Sequence, residues 1–162
     1  MNIIQLEPLE IESNKFKKLF HGLKKTVFLA IKNPLSGEQR KSNQFYGSFK
    51  SNWNRIQQLN KNGWDVFMTI NMLTEPIREG KYIGTVNALF IDYDNGDWCA
   101  DDTESFINKF PVKPKLIIES SPGCFHVYWM VDNVPLAEFK STQQKLAAKY
   151  NADPKVCDLA RV

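Results

Sequence analysis

The strongest constraint in this sequence is a pair of apolar segments joined by a tight turn. Lys115 to Glu119 and Phe125 to Val131 flank Ser120-Ser121-Pro122-Gly123. Proline and glycine set the backbone angles of such a turn, so the two segments are predicted to form a β-hairpin. Upstream, Thr85 to Asp94 (TVNALFIDYD) supplies another strand. Its unbroken apolar run, Ala88 to Ile91, predicts a central place in the sheet.

The rest of the chain alternates helices and strands. Ser13 or Asn14 caps a helix with Phe16, Leu19, Phe20 and Leu23 on one face, and Gly22 ends it. Thr26 to Ile31 reads as a strand closed by Asn33-Pro34. Ser48 caps a helix carrying Phe49, Trp53, Ile56 and Leu59, stopped by Asn62-Gly63. Asp65 to Asn71 is a strand, and Met72 to Gly84 reads as a loop. Asp101 or Asp102 caps a helix with Phe106, Ile107 and Phe110; Pro135 opens another with Leu136, Phe139, Leu146 and Tyr150. Asp153 to Val162 starts a further extended segment. This order predicts an α/β (α+β) domain with a mixed sheet. No GxGxxG follows a strand, so a dinucleotide fold is excluded.

At 162 residues, with 43% hydrophobic and 24% charged residues, the chain is predicted to be a single folded domain, 1–162. No run approaches the ~20 apolar residues of a spanning helix. The start carries Glu7, Glu10 and Glu12 and does not read as a signal peptide. Cys99, Cys124 and Cys157 form no CxxC pair, which argues against a disulfide framework or a cysteine zinc site and makes the cytoplasm the expected compartment. Residues 1–61 hold 11 Lys/Arg against 4 Asp/Glu, and residues 62–162 hold 10 against 14. A basic front and an acidic back suit a protein that holds an anion near one end and a cation near the other; uneven surface charge alone gives the same count.

Three groups of residues can carry chemistry. Asp92 and Asp94 alternate onto one strand face, where two carboxylates repel and call for a counter-charge. Hard oxygen ligands point to Mg²⁺ or Mn²⁺; the alternative is a strand running out into an acidic turn. The Ser120–Gly123 turn offers backbone N–H groups and hydroxyls to phosphate oxygens, and His126 lies just beyond it on one face with Tyr128 and Met130. The alternative for His126 is a half-buried ring satisfied by a carbonyl. In Asp153-Pro154-Lys155-Val156-Cys157-Asp158-Leu159-Ala160-Arg161-Val162, Asp158 offers a third carboxylate and Arg161 a phosphate contact; a capping Asp and a surface Arg look the same.

The ordered set of hydrophobic-DxD, SSPGxxHxYW and DPxVxDxxRV resembles the archaeo-eukaryotic primase superfamily, in particular the RepB-type primase domain of plasmid and phage replication proteins. The resemblance runs from about Gly47 to Val162. It implies a primase–polymerase fold with an RRM-like catalytic half, two divalent metals, a nucleoside triphosphate, and extension of a 3′ hydroxyl on a single-stranded DNA template. By this resemblance Asp92, Asp94 and Asp158 (runner-up Asp153) hold the metals, Ser120, Ser121, His126 and Arg161 bind the nucleotide, and Arg78 and Lys81 track nucleic acid. Trp53 and Trp64 are assigned to the core. The chain stops at Val162, where the family continues with an Arg-Leu-Pro-Gly-like stretch. That implies a fragment of a longer replication protein, working with a helicase, or a minimal version of one. A binding module without turnover is the rival reading. A nuclease on the same carboxylates would not need SSPGCFH.

Overall fold

The structure is a computed structural model and describes residues 10–34, 39–93 and 103–162. Asp94 lies outside the described residues, as do the expected caps Asp101 and Asp102 and the side chain of Ser121.

Helix α1 (Glu10–His21) starts a turn earlier than Ser13, with Glu10 and Glu12 in its first turn and Lys18 in its last, each matching the helix dipole. Gly22, at φ +55°, ends it by donating its N–H to Lys18 O. The chain therefore leaves the helix before Leu23, which is 86% exposed instead of lying on the apolar face. Strand β1 (Thr26–Lys32) is buried along nearly its whole length, because β2 (Lys41–Gly47) and β3 (Asp65–Met68) pair with its two edges. Strand β2 was not expected: Lys41 to Gln44 is polar throughout. It holds because Phe45 stacks on Phe28 at 5.3 Å. Helix α2 (Phe49–Lys61) begins at Ser48, whose hydroxyl accepts Ser51 N–H at 3.1 Å. Trp53 is buried and Trp64 packs against the same cluster.

The expected loop from Met72 to Gly84 contains a small antiparallel pair, β4 (Met72–Leu73) and β5 (Ile83–Thr85), around a 3-10 turn. The strand expected over 85–94 splits, with β6 confined to Ala88–Tyr93. Then come α3 (Thr103–Asn108), β7 (Leu116–Ser121), β8 (Cys124–Met130) and α4 (Leu136–Tyr150). The predicted hairpin forms with a two-residue loop, Pro122-Gly123, and Gly123 takes the φ of +76° that such a turn demands. On α4, Phe139 and Tyr150 are buried but Leu136 is exposed.

The fold is α+β, and every pairing among the described residues is antiparallel: two three-stranded sheets, ordered β2-β1-β3 and β6-β8-β7, beside the β4-β5 pair, rather than one mixed sheet. The succession β6-α3-β7-β8-α4 follows a β-α-β-β-α-β plan without its last strand. Residues 153–162, expected to be extended, form turns instead. Strand β6 is consequently an edge strand and not a central one. Its apolar run is buried because both faces are covered. Ala88 and Phe90 join the cluster shared with β1 and α2, while Ile91 and Tyr93 join a second cluster with Phe106, Phe110 and Tyr150.

The open edge of β6 is closed by a side chain. Gln143, 1% exposed on α4, accepts Phe90 N–H at 3.0 Å and donates to Phe90 O at 2.8 Å. It stands in for a neighbouring strand, satisfying backbone groups that burial would otherwise leave costly. The Asp153 N–H continues the same edge, reaching Asp92 O at 3.2 Å.

His21 gives the fold a pH dependence. Its Nε2 contacts Thr69 O, and its buried Nδ1 has no hydrogen-bond partner among the described residues. Burial lowers its pKa, the bond to Thr69 O opposes that, and Lys17 and Lys24 lower it further. With the folded pKa below the unfolded one, the unfolded state binds the proton first. The stability from neutral His21 is full above the unfolded pKa of about 6.5 and is lost as pH falls. The thermal midpoint is expected to drop between pH 7.5 and 5.5, and His21→Gln to flatten that slope. Parallel slopes in the two proteins would remove His21 from the account.

Candidate active site

The site is built at the end of β6 and β8, on the face that looks toward the first sheet. Asp92 and His126 are registered partners across the two strands. Cross-strand partners stand side by side on one face, so pairing alone brings carboxylate and imidazole together. His126 Nε2 lies 3.4 Å from Asp92 Oδ1, and the Asp92 side chain is 6% exposed against 30% for His126. Arg161 closes the other side, with its guanidinium 2.9 Å from Asp92 Oδ2. Asp92 therefore already has a counter-charge, and it is a side chain of the tail.

The tail is held there by asparagine side chains that the sequence did not single out. Asn71 donates to Leu159 O at 3.0 Å and accepts Asn87 N–H at 3.0 Å. Asn87 in turn donates to Phe20 O and Ile70 O. The Ile70 N–H reaches Arg161 O at 3.1 Å. A polar residue inside an apolar stretch is the signal that could have found Asn71, which is fully buried.

His126, Ser120 and Tyr128 line a cleft of about 470 Å³ whose opposite wall is apolar, from Phe28, Met68 and Ile70; α1 and Val162 complete it. Ser120 Oγ donates to Cys124 O at 3.3 Å across the hairpin. Tyr128 stands edge-on to His126, with ring centroids 6.4 Å apart. Burial pushes its phenol pKa up to about 12, with Asp92 adding to the rise and Arg161 opposing it, so it keeps its proton at neutral pH. Tyr93 lies on the other face, donating to Tyr150 O at 2.7 Å.

The other residues singled out from the sequence make contacts of their own. The Asp158 carboxylate is exposed and accepts Ala160 N–H at 3.0 Å, in a turn and not in the strand the sequence suggested. Asp153 does the same for Lys155 N–H at 2.8 Å. Both are short-range Asx contacts, which compete with strand formation and account for the missing ladder. Arg78 donates to Ala160 O at 2.9 Å, so it braces the tail. Lys81 pairs with Glu79 at 2.8 Å on the surface, and that contact raises its pKa.

Among the described residues no three His, Cys, Asp or Glu side chains converge as a metal site would require. A carboxylate is a hard oxygen donor of the kind such a cation takes, but here one Asp92 oxygen holds Arg161 and the other faces His126. The described part of the site thus offers one anchoring carboxylate.

Residues 78–162, just over half of the chain and including Asp92, Ser120, His126 and Arg161, match the RepB DNA-primase N-terminal domain. The chain belongs to that family, a primase-type replication domain. Its fold is similar to the AEP domain of the cyanophage S-2L primase-polymerase, with a TM-score of 0.64 at 17% identity over 96% of this chain and 77% of that one. It is also similar to the primase RepB′, with a TM-score of 0.57 at 19% identity over 94% of this chain. The match spans 48% of the RepB′ chain, about half its length. No curated protein matches the chain in sequence. No helix among the described residues is long and apolar enough to cross a membrane.

Proposed function

We propose that residues 1–162 form one catalytic domain that transfers a nucleotide from an NTP or dNTP to a 3′ hydroxyl on a single-stranded DNA template. It would serve a cytoplasmic plasmid- or phage-type replication protein that works with a helicase. The observation that carries this reading is the registered Asp92–His126 pair beside the Ser120 hairpin turn, within the stretch that matches the RepB DNA-primase domain.

In this proposal His126 and the Ser120-Ser121 turn hold the triphosphate, and positioning supplies much of the rate. His126 donates to a phosphate oxygen, with Asp92 beside it fixing the orientation of the ring. Arg161, bonded to the other oxygen of Asp92, is proposed as a second positive donor. Asp92 and Asp94, with Asp158 as third carboxylate, are the oxygen donors proposed for Mg²⁺ or Mn²⁺. Such ions lower the pKa of an attacking hydroxyl and neutralise a leaving pyrophosphate. Arg78 and Lys81 are proposed to follow the template backbone, a contact that weakens as salt rises.

One observation favours a second reading. Arg161 already neutralises Asp92, and Asp158 is engaged in its own turn. Those are features of a module that keeps the fold and binds nucleic acid without turnover. Metal-dependent incorporation of labelled nucleotide on a single-stranded template separates the two: incorporation supports the enzyme, and template binding without it supports the module.

His126→Ala is expected to raise the KM for the nucleotide and to lower kcat less. A hydrogen bond to a charged group is worth ~1.5–3 kcal/mol, or roughly 10–150-fold. Unchanged nucleotide affinity in a folded variant would return His126 to a purely structural part in the sheet.

A further inference from the structure

A second cavity, about 640 Å³, lies on the other face of the β6-β8-β7 sheet. Leu89 and Trp129 line it, and strand alternation turns both away from Asp92 and His126. It runs between the C-terminal half of α4 and the segment entering β7. Its walls are apolar, from Leu89, Val112, Met130, Val131 and Leu146. Its polar rim consists of three lysines, Lys113, Lys115 and Lys149, and no carboxylate lines it. Lys113 donates to Asn108 Oδ1 and approaches Ile107 O, both neutral, and Lys149 lies over the Tyr150 ring. Among the described residues these lysines are exposed, and no acidic partner takes their charge.

The charge selects an anionic occupant, and the floor selects its kind. Single-stranded nucleic acid binds on aromatic faces left open for stacking. Here Trp129 and Tyr150 are both buried, stacked on each other at 5.9 Å, and the indole N–H is committed to Val112 O at 2.8 Å. The open apolar surface is aliphatic instead, and Val112 on the rim is 68% exposed. Aliphatic pockets ringed by lysines fit leucine-like anchors flanked by carboxylates.

We propose that this groove docks an acidic peptide segment with apolar anchors, contributed by a partner protein. The site is distinct from the nucleotide site and does not depend on turnover there.

The test is fluorescence anisotropy with the whole chain and a fluorescein-labelled peptide of alternating aspartate and leucine. A peptide with serine for leucine and a labelled oligothymidylate serve as comparisons. An exposed ion pair is worth about 1.4- to 5-fold in affinity. The triple variant Lys113→Glu, Lys115→Glu, Lys149→Glu also adds repulsion, so it is expected to weaken the peptide by about 10-fold or more. Val112→Ser is expected to weaken it by about 3-fold through lost apolar area alone. Nucleotide incorporation and the thermal midpoint are expected to stay near wild type in both variants, which separates failure here from failure of the catalytic reading. The proposal is overturned if the acidic leucine peptide does not bind, if the triple variant binds it unchanged, or if the serine peptide binds equally well. It is also overturned if oligothymidylate binds more tightly and loses its binding in the triple variant, which would make the groove a nucleic-acid site.

Discussion

Asp92→Asn is expected to abolish metal-dependent nucleotide incorporation while leaving the fold in place. The substitution keeps the shape of the side chain, and Asn can still accept from Arg161. It removes the charge that a cation would need. Electrostatic stabilisation of a phosphoryl transition state by a bound ion is worth several kcal/mol. Since each ~1.4 kcal/mol is tenfold, a loss on the order of 10³-fold is expected. The stability change should be small, about 1 kcal/mol, because Arg161 is 40% exposed and water can take over its solvation. Asp158→Asn is the companion variant. An asparagine keeps the turn at Ala160, so a large loss of incorporation there would mark Asp158 as a ligand and not as a cap. Near-normal incorporation in Asp92→Asn, measured with Mg²⁺ and with Mn²⁺, would remove Asp92 from the metal site, whereas template binding with no incorporation by the unsubstituted protein would leave the binding module.

Gln143→Leu is expected to be the most damaging substitution away from the site. The side chains are similar in size, so no cavity opens. Three backbone groups lose their partner at once: the N–H and C=O of Phe90, and the C=O of Val156, to which Gln143 also donates at 3.2 Å. Leaving a buried donor or acceptor unsatisfied costs about 1–3 kcal/mol each, so a loss of about 3–4 kcal/mol is expected after partial relaxation. That is a large share of the stability of a domain this size. A urea titration reads it as a lower midpoint at constant slope. A loss below about 1 kcal/mol would mean that the β6 edge does not need its glutamine.

Much of this arrangement was legible in the sequence because it is local. The hairpin needed only Pro122-Gly123 between two apolar runs. The α2 helix needed only Ser48 and the spacing of Phe49, Trp53 and Ile56. Strand alternation placed His126 and Tyr128 on one face, and the cleft lies on that face. The acidic strand and the serine–histidine turn carried the family resemblance, and the matched residues 78–162 contain both.

What the sequence could not say concerns long-range partners. Lys41 to Gln44 has no apolar pattern, yet it becomes a strand because β1 offers it an unpaired edge. Ala88 to Ile91 reads as the centre of a sheet, since hydrophobicity reports burial and not which neighbour provides it. Here the neighbour is a glutamine on α4, 53 residues away along the chain. The counter-charge for Asp92 was equally hidden. A lone arginine in a turn-rich tail carries no local signal for that partner, and it reaches Asp92 because Asn71, the Ile70 N–H and Arg78 hold that tail in place. The sequence by itself determined which faces are apolar and which turns are tight, because those follow from backbone angles and the period of the side chains. Only the tertiary structure decided who closes the β6 edge and who neutralises Asp92. Both depend on hydrogen-bonding groups far apart in the chain, whose meeting is set by the packing of the whole core.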